Sequence, residues 1–249
     1  MSKEAVRKIC AVLIALLLWQ TVSMLVGMEA LLASPVSVVR RLFSIISEEG
    51  FLKTVMYSVL RISLGFCLAL VFSCILAVAA GRYHVVEILL WPYVVTIKTV
   101  PVASFIILCL IWFSYSQLTV LIAFLIAFPV IYSNVLQGIK SVDRQMLEMA
   151  DLYKTGWGRK LLYVYYPSIK PYLLSACGIA VGMAWKAGVA AEVIGVVNNS
   201  IGERLYESKI YFLNADLLSW TVVIIILSVA GEALVRMLLK AVFYALERL

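Results

Sequence analysis

Apolar residues fall along this chain in six long runs, near 9–27, 56–80, 87–112, 117–136, 169–196 and 217–239, with polar segments between them. Roughly 20 predominantly apolar residues, as a helix, cross about 30 Å of hydrocarbon. Each run approaches or exceeds that length and is rich in Leu, Ile, Val and Ala. A membrane β-barrel would show alternating segments of about ten residues instead, and the sequence has none. The pattern predicts an all-α polytopic membrane helix bundle with six transmembrane helices. No polar segment is long enough to fold a second domain.

Two polar segments carry structure of their own. Lys3, Arg7 and Lys8 precede the first run and mimic a secretory signal, but the apolar run from Ile9 continues to Val26. That exceeds the ~7–15 residues of a signal's apolar region, so the first helix is expected to be retained. Beyond it, Ser34 suits an N-cap and Pro35 the first helical position, and Val39, Leu42, Phe43 and Ile46 follow at helical spacing. A short amphipathic helix at the membrane surface is predicted there. Residues 1–55 thus form an N-terminal unit, ahead of a core over 56–240 and a tail over 241–249. The segment 137–168 is longer than a connector requires. It sets Lys140, Asp143, Arg144, Glu148, Asp151, Lys154, Arg159 and Lys160 among Ile139, Val142, Met146, Leu147, Met149, Leu152, Leu161 and Leu162. With Gly156 and Gly158 in the middle, it predicts two short amphipathic helices joined by a turn, offering a surface to a partner.

Composition narrows the class. Of 249 residues, 64% are apolar and 14% charged, whereas a soluble domain is about half apolar and a quarter charged. A soluble domain and a disordered chain are both excluded. With the N-terminus inside, Lys3, Arg7, Lys8, Arg82, Lys140, Arg144, Lys154, Arg159, Lys160, Lys240 and Arg248 lie on the inner side. Only Arg40, Arg41, Lys53, Arg204 and Lys209 lie on the outer side. This excess predicts both termini and the 137–168 segment in the cytoplasm. The formal charge of +7 is therefore a topology signal and gives no reason to expect nucleic acid as a partner.

Catalytic chemistry is absent from the sequence pattern. No Gly-Lys dipeptide occurs, so there is no Walker A loop to hold nucleotide phosphates, and GxSxG, HExxH and GxGxxG are missing too. Cys10, Cys67, Cys74, Cys109 and Cys177 all fall in apolar runs without a CxxC, and the single His84 cannot complete a metal site with them. The chain is expected to be no enzyme, with no catalytic residue and no metal site.

Ionisable residues inside a span are costly and functional by default. Arg61 stands near the start of the second run, where snorkelling explains it. Lys98 precedes Pro101, a predicted kink, and is a candidate for an aqueous passage. Glu232 and Arg236, four apart, form a favourable helical pair. In the fifth run Gly178 and Gly182 make a GxxxG, the spacing that lets helices approach closely. Lys186 follows near the same face, beside Trp185. It either pairs with an acid on another helix or faces the passage. Glu192, six residues on, sits about 120° away round the helix and is a poor partner for it. Lys186, Trp185, Glu192, Lys98 and Pro101 are the candidates for a translocation pathway.

Glu148-Met149-Ala150, followed later by Pro167, resembles the EAA loop of ABC importer permeases, in which Glu-Ala-Ala is followed by a Gly and then by an apolar residue, a Leu and a Pro. Lys154 stands where the family's Gly would sit, with Gly156 nearby to take over the turn. Val164 and Tyr166 stand at the last apolar pair. Ser34-Pro35, Tyr57-Ser58-Val59-Leu60-Arg61 through Gly65-Phe66, Val100-Pro101, Ile111-Trp112-Phe113, Phe128-Pro129 and Ala191-Glu192 look like the nitrate/sulfonate/taurine branch.

The resemblance covers nearly the whole chain. It implies the type I ABC importer permease fold and a homodimer of permease subunits in a bacterial inner (plasma) membrane. Glu148, Met149, Ala150, Asp151, Gly156, Gly158 and Pro167 would couple it to cytoplasmic ATP-binding subunits, and an extracytoplasmic substrate-binding protein would deliver the solute. ATP and Mg would sit on the partner subunit, with no cofactor in this chain. Alternating access would carry nitrate, a sulfonate, taurine or a vitamin precursor. The other classes are a stand-alone channel or secondary carrier, marked by inverted repeats or broken helices, and an intramembrane enzyme, which needs a catalytic cluster.

Overall fold

The computed structural model describes residues 3–246. Arg248 and the rest of 247–249 lie outside the described residues, as do the side chains of Lys3, Lys8 and Leu162. Helix α1 (Lys3–Val26) leads through a turn into α2 (Pro35–Ile46). The Ser34 hydroxyl accepts the Ser37 N–H at 3.1 Å and Pro35 opens the helix, so α2 starts where its capping signal stands. Its apolar surface is divided. Ile45 is buried with Val55, Ile201, Trp220 and Val223, whereas Val36, Val39 and Phe43 remain exposed.

The core is built by α3 (Phe51–Arg82), α6 (Tyr115–Lys140) and α9 (Tyr166–Gly195), with α6 packed along both of the others. The α3–α6 crossing is close because Gly65 has no side chain. A Cβ there would stand 2.4 Å from the Val120 carbonyl oxygen and 2.8 Å from Ala123 Cβ. The Ser73 hydroxyl donates to the Phe128 carbonyl across the same seam at 2.9 Å. Phe124, Phe128 and Tyr132, one turn apart on α6, stack at 5.7 and 5.8 Å, an i,i+4 ladder.

Four unbroken helical stretches are long and apolar enough to cross a membrane: Phe51–Arg82, Tyr115–Lys140, Gly158–Gly195 and Asn214–Ala245. The last belongs to α11 (Asn214–Leu246). The run 87–112, one predicted span with a kink at Pro101, is broken outright there. Helices α4 (His84–Thr99) and α5 (Val102–Cys109) meet at 105°. Pro101 lacks an N–H, and its ring holds Val100 extended at φ −69°, ψ 131°, which ends α4. Counting the bent pair as one span gives up to five among the described residues, against six predicted. The apolar part of α1, Cys10–Val26, is the shorter remaining stretch.

The segment after α6 contains α7 (Arg144–Leu152) and α8 (Trp157–Lys160). The second of the two predicted short helices is not separate. A π-helical turn, Leu161–Tyr165, carries α8 directly into α9. The Tyr166 N–H bonds the Leu161 carbonyl, five residues back, immediately before Pro167, which cannot donate. Finally α10 (Ile201–Ile210) packs on α9 and α11. No strand occurs among the described residues.

Candidate functional site

Glu192 is fully buried where α3, α9 and α10 meet. Its Oε2 accepts the Ser58 hydroxyl at 2.8 Å and the Gly202 N–H at 3.2 Å. The same Ser58 oxygen accepts the Ile201 N–H at 2.9 Å. Ile201 and Gly202 open α10, so carboxylate and hydroxyl together satisfy a buried helix N-terminus. A Cβ on Gly202 would come within 2.2 Å of Glu192 Cβ, so glycine is required for this approach. Arg61, one turn beyond Ser58, does not simply snorkel. Its guanidinium lies 3.5 Å from the centre of the Tyr57 ring and bonds the Tyr57 hydroxyl. Within the single chain Glu192 has no open surface and ties the three helices together. Ser58 stands in the sequence only within the Tyr57–Arg61 resemblance, with no role assigned, and Gly202 carries no sequence signal.

The break at Val100–Pro101 sets Lys98 in the last turn of α4. Its ammonium donates to the Ser133 hydroxyl at 2.7 Å, and Lys98 makes no ion pair among the described residues. Lower on the same two helices, Lys140 and Glu87 pair at 2.5 Å. Pro101 itself is exposed. Of the candidates on α9, Lys186 is exposed and, among the described residues, has no acidic partner. Trp185 points elsewhere, being 4% exposed, with its Nε1 only 3.0 Å from where a Gly231 Cβ would stand. Within the single chain it packs against α11. Glu232 and Arg236 pair at 2.6 Å as the sequence predicts.

Gly178 and Gly182 do not produce a close crossing within the chain. A Cβ at Gly182 would meet nothing within 4 Å, and one at Gly178 would lie 3.4 Å from the Glu232 and Arg236 side chains. The tight approaches on α9 are at Gly188, where a Cβ would stand 2.7 Å from Ile62, and at Gly195, where one would stand 2.8 Å from Leu118.

Helix α7 is capped by Asp143, whose carboxylate accepts the Gln145 N–H at 2.9 Å. Glu148 pairs with Arg144 at 3.0 Å, and Asp151 pairs with Lys160. Ala150 is buried, whereas Met146, Met149, Leu152 and Tyr153 are exposed. The helix ends in a Schellman turn: Thr155 N–H bonds Ala150 O and Lys154 N–H bonds Asp151 O, both at 2.9 Å. Lys154 itself takes the left-handed conformation, φ 48°. Gly156 therefore does not take over the turn. Lys154 occupies the glycine position in conformation as well as in sequence, and Gly156 and Gly158 have open space around them. Pro167 is exposed just inside α9.

The family model for the inner membrane component of binding-protein-dependent transport systems matches residues 69–244. The chain belongs to this family. It is the membrane permease of a binding-protein-dependent importer, a transport component and not an enzyme, whose ATP-binding and substrate-binding functions reside in partner proteins. Membership in this family, and not the broken span, decides against a stand-alone secondary carrier. The chain is 25% identical to the putative aliphatic sulfonates transport permease of Bacillus subtilis, over 92% of this chain and 82% of the relative. It is 26% identical to the taurine transport system permease of Escherichia coli, over 100% and 90%. The formylaminopyrimidine transport permease of Halalkalibacterium halodurans is 28% identical over 81% and 80%.

Proposed function

We propose that two copies of this permease pair as a homodimer, with both termini and the α7 loop in the cytoplasm, and carry a small solute by alternating access. The solute is a small oxyanion or sulfonate-bearing molecule such as nitrate, a sulfonate or taurine, which two relatives named for sulfonate and taurine transport support, or a vitamin precursor, which the formylaminopyrimidine relative supports. A binding protein delivers it from outside, and ATP with Mg is bound and hydrolysed on the cytoplasmic subunits. The excess of basic residues on the α7 side supports the orientation.

The observation that carries the coupling proposal is the division of α7 into two faces. Ala150 is the buried residue of the helix, while Met146, Met149 and Tyr153, at i, i+3 and i+7, stand exposed together with Leu152. An apolar helical ridge beside an exposed Arg144–Glu148 pair suits a groove on an ATP-binding subunit. Glu148, Met149 and Asp151 lie on or next to that ridge. Gly156, Gly158 and Pro167 shape the return into α9. Co-purification with the ATP-binding subunit tests it. Met149→Asp is expected to abolish co-purification while the permease still inserts, and full retention of the partner in Met146→Asp/Met149→Asp would overturn the docking face.

A further inference from the structure

We propose that the cleft between α4 and α6 is a binding site for the head group of a small oxyanion, held by Lys98, Ser133 and Tyr132 on the α7 side of the membrane bundle. This deepens the reading of the chain as an anion-carrying permease and rests on it. The cleft measures about 260 Å³ and is lined by Glu87, Trp91 and Lys98 of α4 and Tyr132, Ser133 and Lys140 of α6. It is smaller than the roughly 300–1,000 Å³ of sites for drug-sized ligands, so its occupant is small. Lys98 meets Ser133 at one end and Glu87 meets Lys140 at the other. Eleven helical residues separate those ends on α4, or roughly 16 Å.

Charge and donors point to an anion. Glu87 is matched by Lys140, which leaves the ammonium of Lys98 as one uncompensated positive charge in the lining. Its only hydrogen bond among the described residues goes to the neutral Ser133 hydroxyl, which in turn bonds the Pro129 carbonyl. Tyr132 is 4% exposed, and its hydroxyl is buried without a partner among the described residues, near enough to feel the Glu87 charge. A buried hydroxyl lacking a hydrogen bond is rare in folded proteins; this one belongs to a residue lining the cleft, and a small shift of the ring would bring it to an occupant. Lys98 sits in the last turn of α4, where the helix dipole favours a cation. The exposed indole of Trp91, midway along the cleft, gives an apolar wall. An oxyanion carrying a short alkyl tail matches this arrangement better than a bare inorganic ion.

The test uses the permease with its ATP-binding subunits in lipid nanodiscs, without nucleotide or binding protein. Thermal unfolding is followed in sodium methanesulfonate, sodium nitrate and ethylammonium chloride, each against sodium chloride at equal ionic strength. Near-saturating methanesulfonate is expected to raise the midpoint by about 2–4 °C, with a smaller rise in nitrate and none in ethylammonium. The shift should vanish in Lys98→Met, shrink in Tyr132→Phe, and persist in Lys98→Arg and in the charge control Lys209→Met. Tyr132→Phe removes only an unpartnered hydroxyl, so it keeps the test valid if Lys98→Met fails to fold. No methanesulfonate-specific shift in the wild-type complex, or an undiminished one in both Lys98→Met and Tyr132→Phe, overturns the site. An equal nitrate shift overturns the role of the Trp91 wall. Uptake by the same complex with its binding protein separates the two levels: transport without an anion shift leaves the importer standing and removes this site, whereas failure of both removes the anion-permease reading itself.

Discussion

The Ser58 hydroxyl donates to Glu192 at 2.8 Å across 134 residues of sequence while accepting the Ile201 amide at 2.9 Å. One hydroxyl thereby ties α3 and α9 to the start of α10, in a place with no access to water. Replacing it by a methyl leaves a carboxylate oxygen and an amide each short of a partner. Unsatisfied buried groups cost about 1–3 kcal/mol apiece, so Ser58→Ala is expected to destabilise the permease by about 2–4 kcal/mol. The measurement is the unfolding midpoint of the purified protein in detergent, and an unchanged midpoint would refute the clasp.

Two glycines separate crossings made inside the chain from those left open. Gly202→Ala drives a methyl against the Glu192 backbone, where a Cβ would lie 2.5 Å from the carbonyl carbon. Overpacking of this kind costs about 1–3 kcal/mol. Gly182→Ala meets nothing within 4 Å and should leave the stability of the single chain unaltered. Gly182→Leu, by contrast, is expected to weaken pairing of two copies if α9 faces its own mate, which cross-linking at graded concentrations would read out.

Four of the predicted spans, and the broken α4–α5 pair, were legible because hydrocarbon imposes a length and a composition on a crossing helix, and both are local properties of the sequence. Val100-Pro101 likewise announced the end of α4, since proline restricts its own φ and its predecessor's ψ wherever it stands. Other features depend on partners distant in sequence. Nothing around Ser58 says that Glu192 will face it. The same holds for Trp185 and Gly231, because helical periodicity gives a direction round α9 but not which neighbour lies there. The GxxxG spacing was present without a close intrachain crossing, and Gly65 and Gly188 made close approaches without that spacing. At Lys154 the sequence registered the missing glycine, but the backbone tolerated a lysine at φ 48° because the Schellman bonds on either side hold the turn.

Arg41 joins α2 to the start of α11 through a bidentate contact. Its Nε and Nη2 donate to the two Asp216 oxygens at 2.5 and 2.8 Å, and Nη1 pairs with Glu48 at 2.9 Å. The hydrogen bond to Asp216 raises the Arg41 pKa above its ordinary value. A raised cationic pKa stabilises fully below the unfolded value and is lost only as pH rises through the folded one, so the guanidinium stays charged at every usable pH. Arg41→Lys keeps the charge but loses the fork and is expected to cost about 1 kcal/mol, because the pair is partly exposed to water. Unfolding midpoints of Arg41→Lys and the wild type, compared at low and high salt, check this; a difference that disappears in salt would mean charge alone holds the two helices.

Lys186 poses the sharpest question about the passage. If it served structure by pairing with an acid of its own chain, Lys186→Met would strand that acid and destabilise the fold. Among the described residues no such acid is within ion-pair distance, and the side chain is exposed on the same side of α9 as the open space at Gly182. The single chain should therefore tolerate methionine within about 0.5 kcal/mol, as exposed positions usually do. Unfolding of the detergent-solubilised permease is expected to be unchanged, and the homodimer and its ATP-binding subunits should still assemble. Solute uptake by the reconstituted importer is expected to fall, because a positive charge facing the proposed anion path is gone, and Lys186→Arg should restore most of it. Loss of the dimer in Lys186→Met would instead locate the missing acid on the second copy, and full uptake would remove Lys186 from the passage altogether.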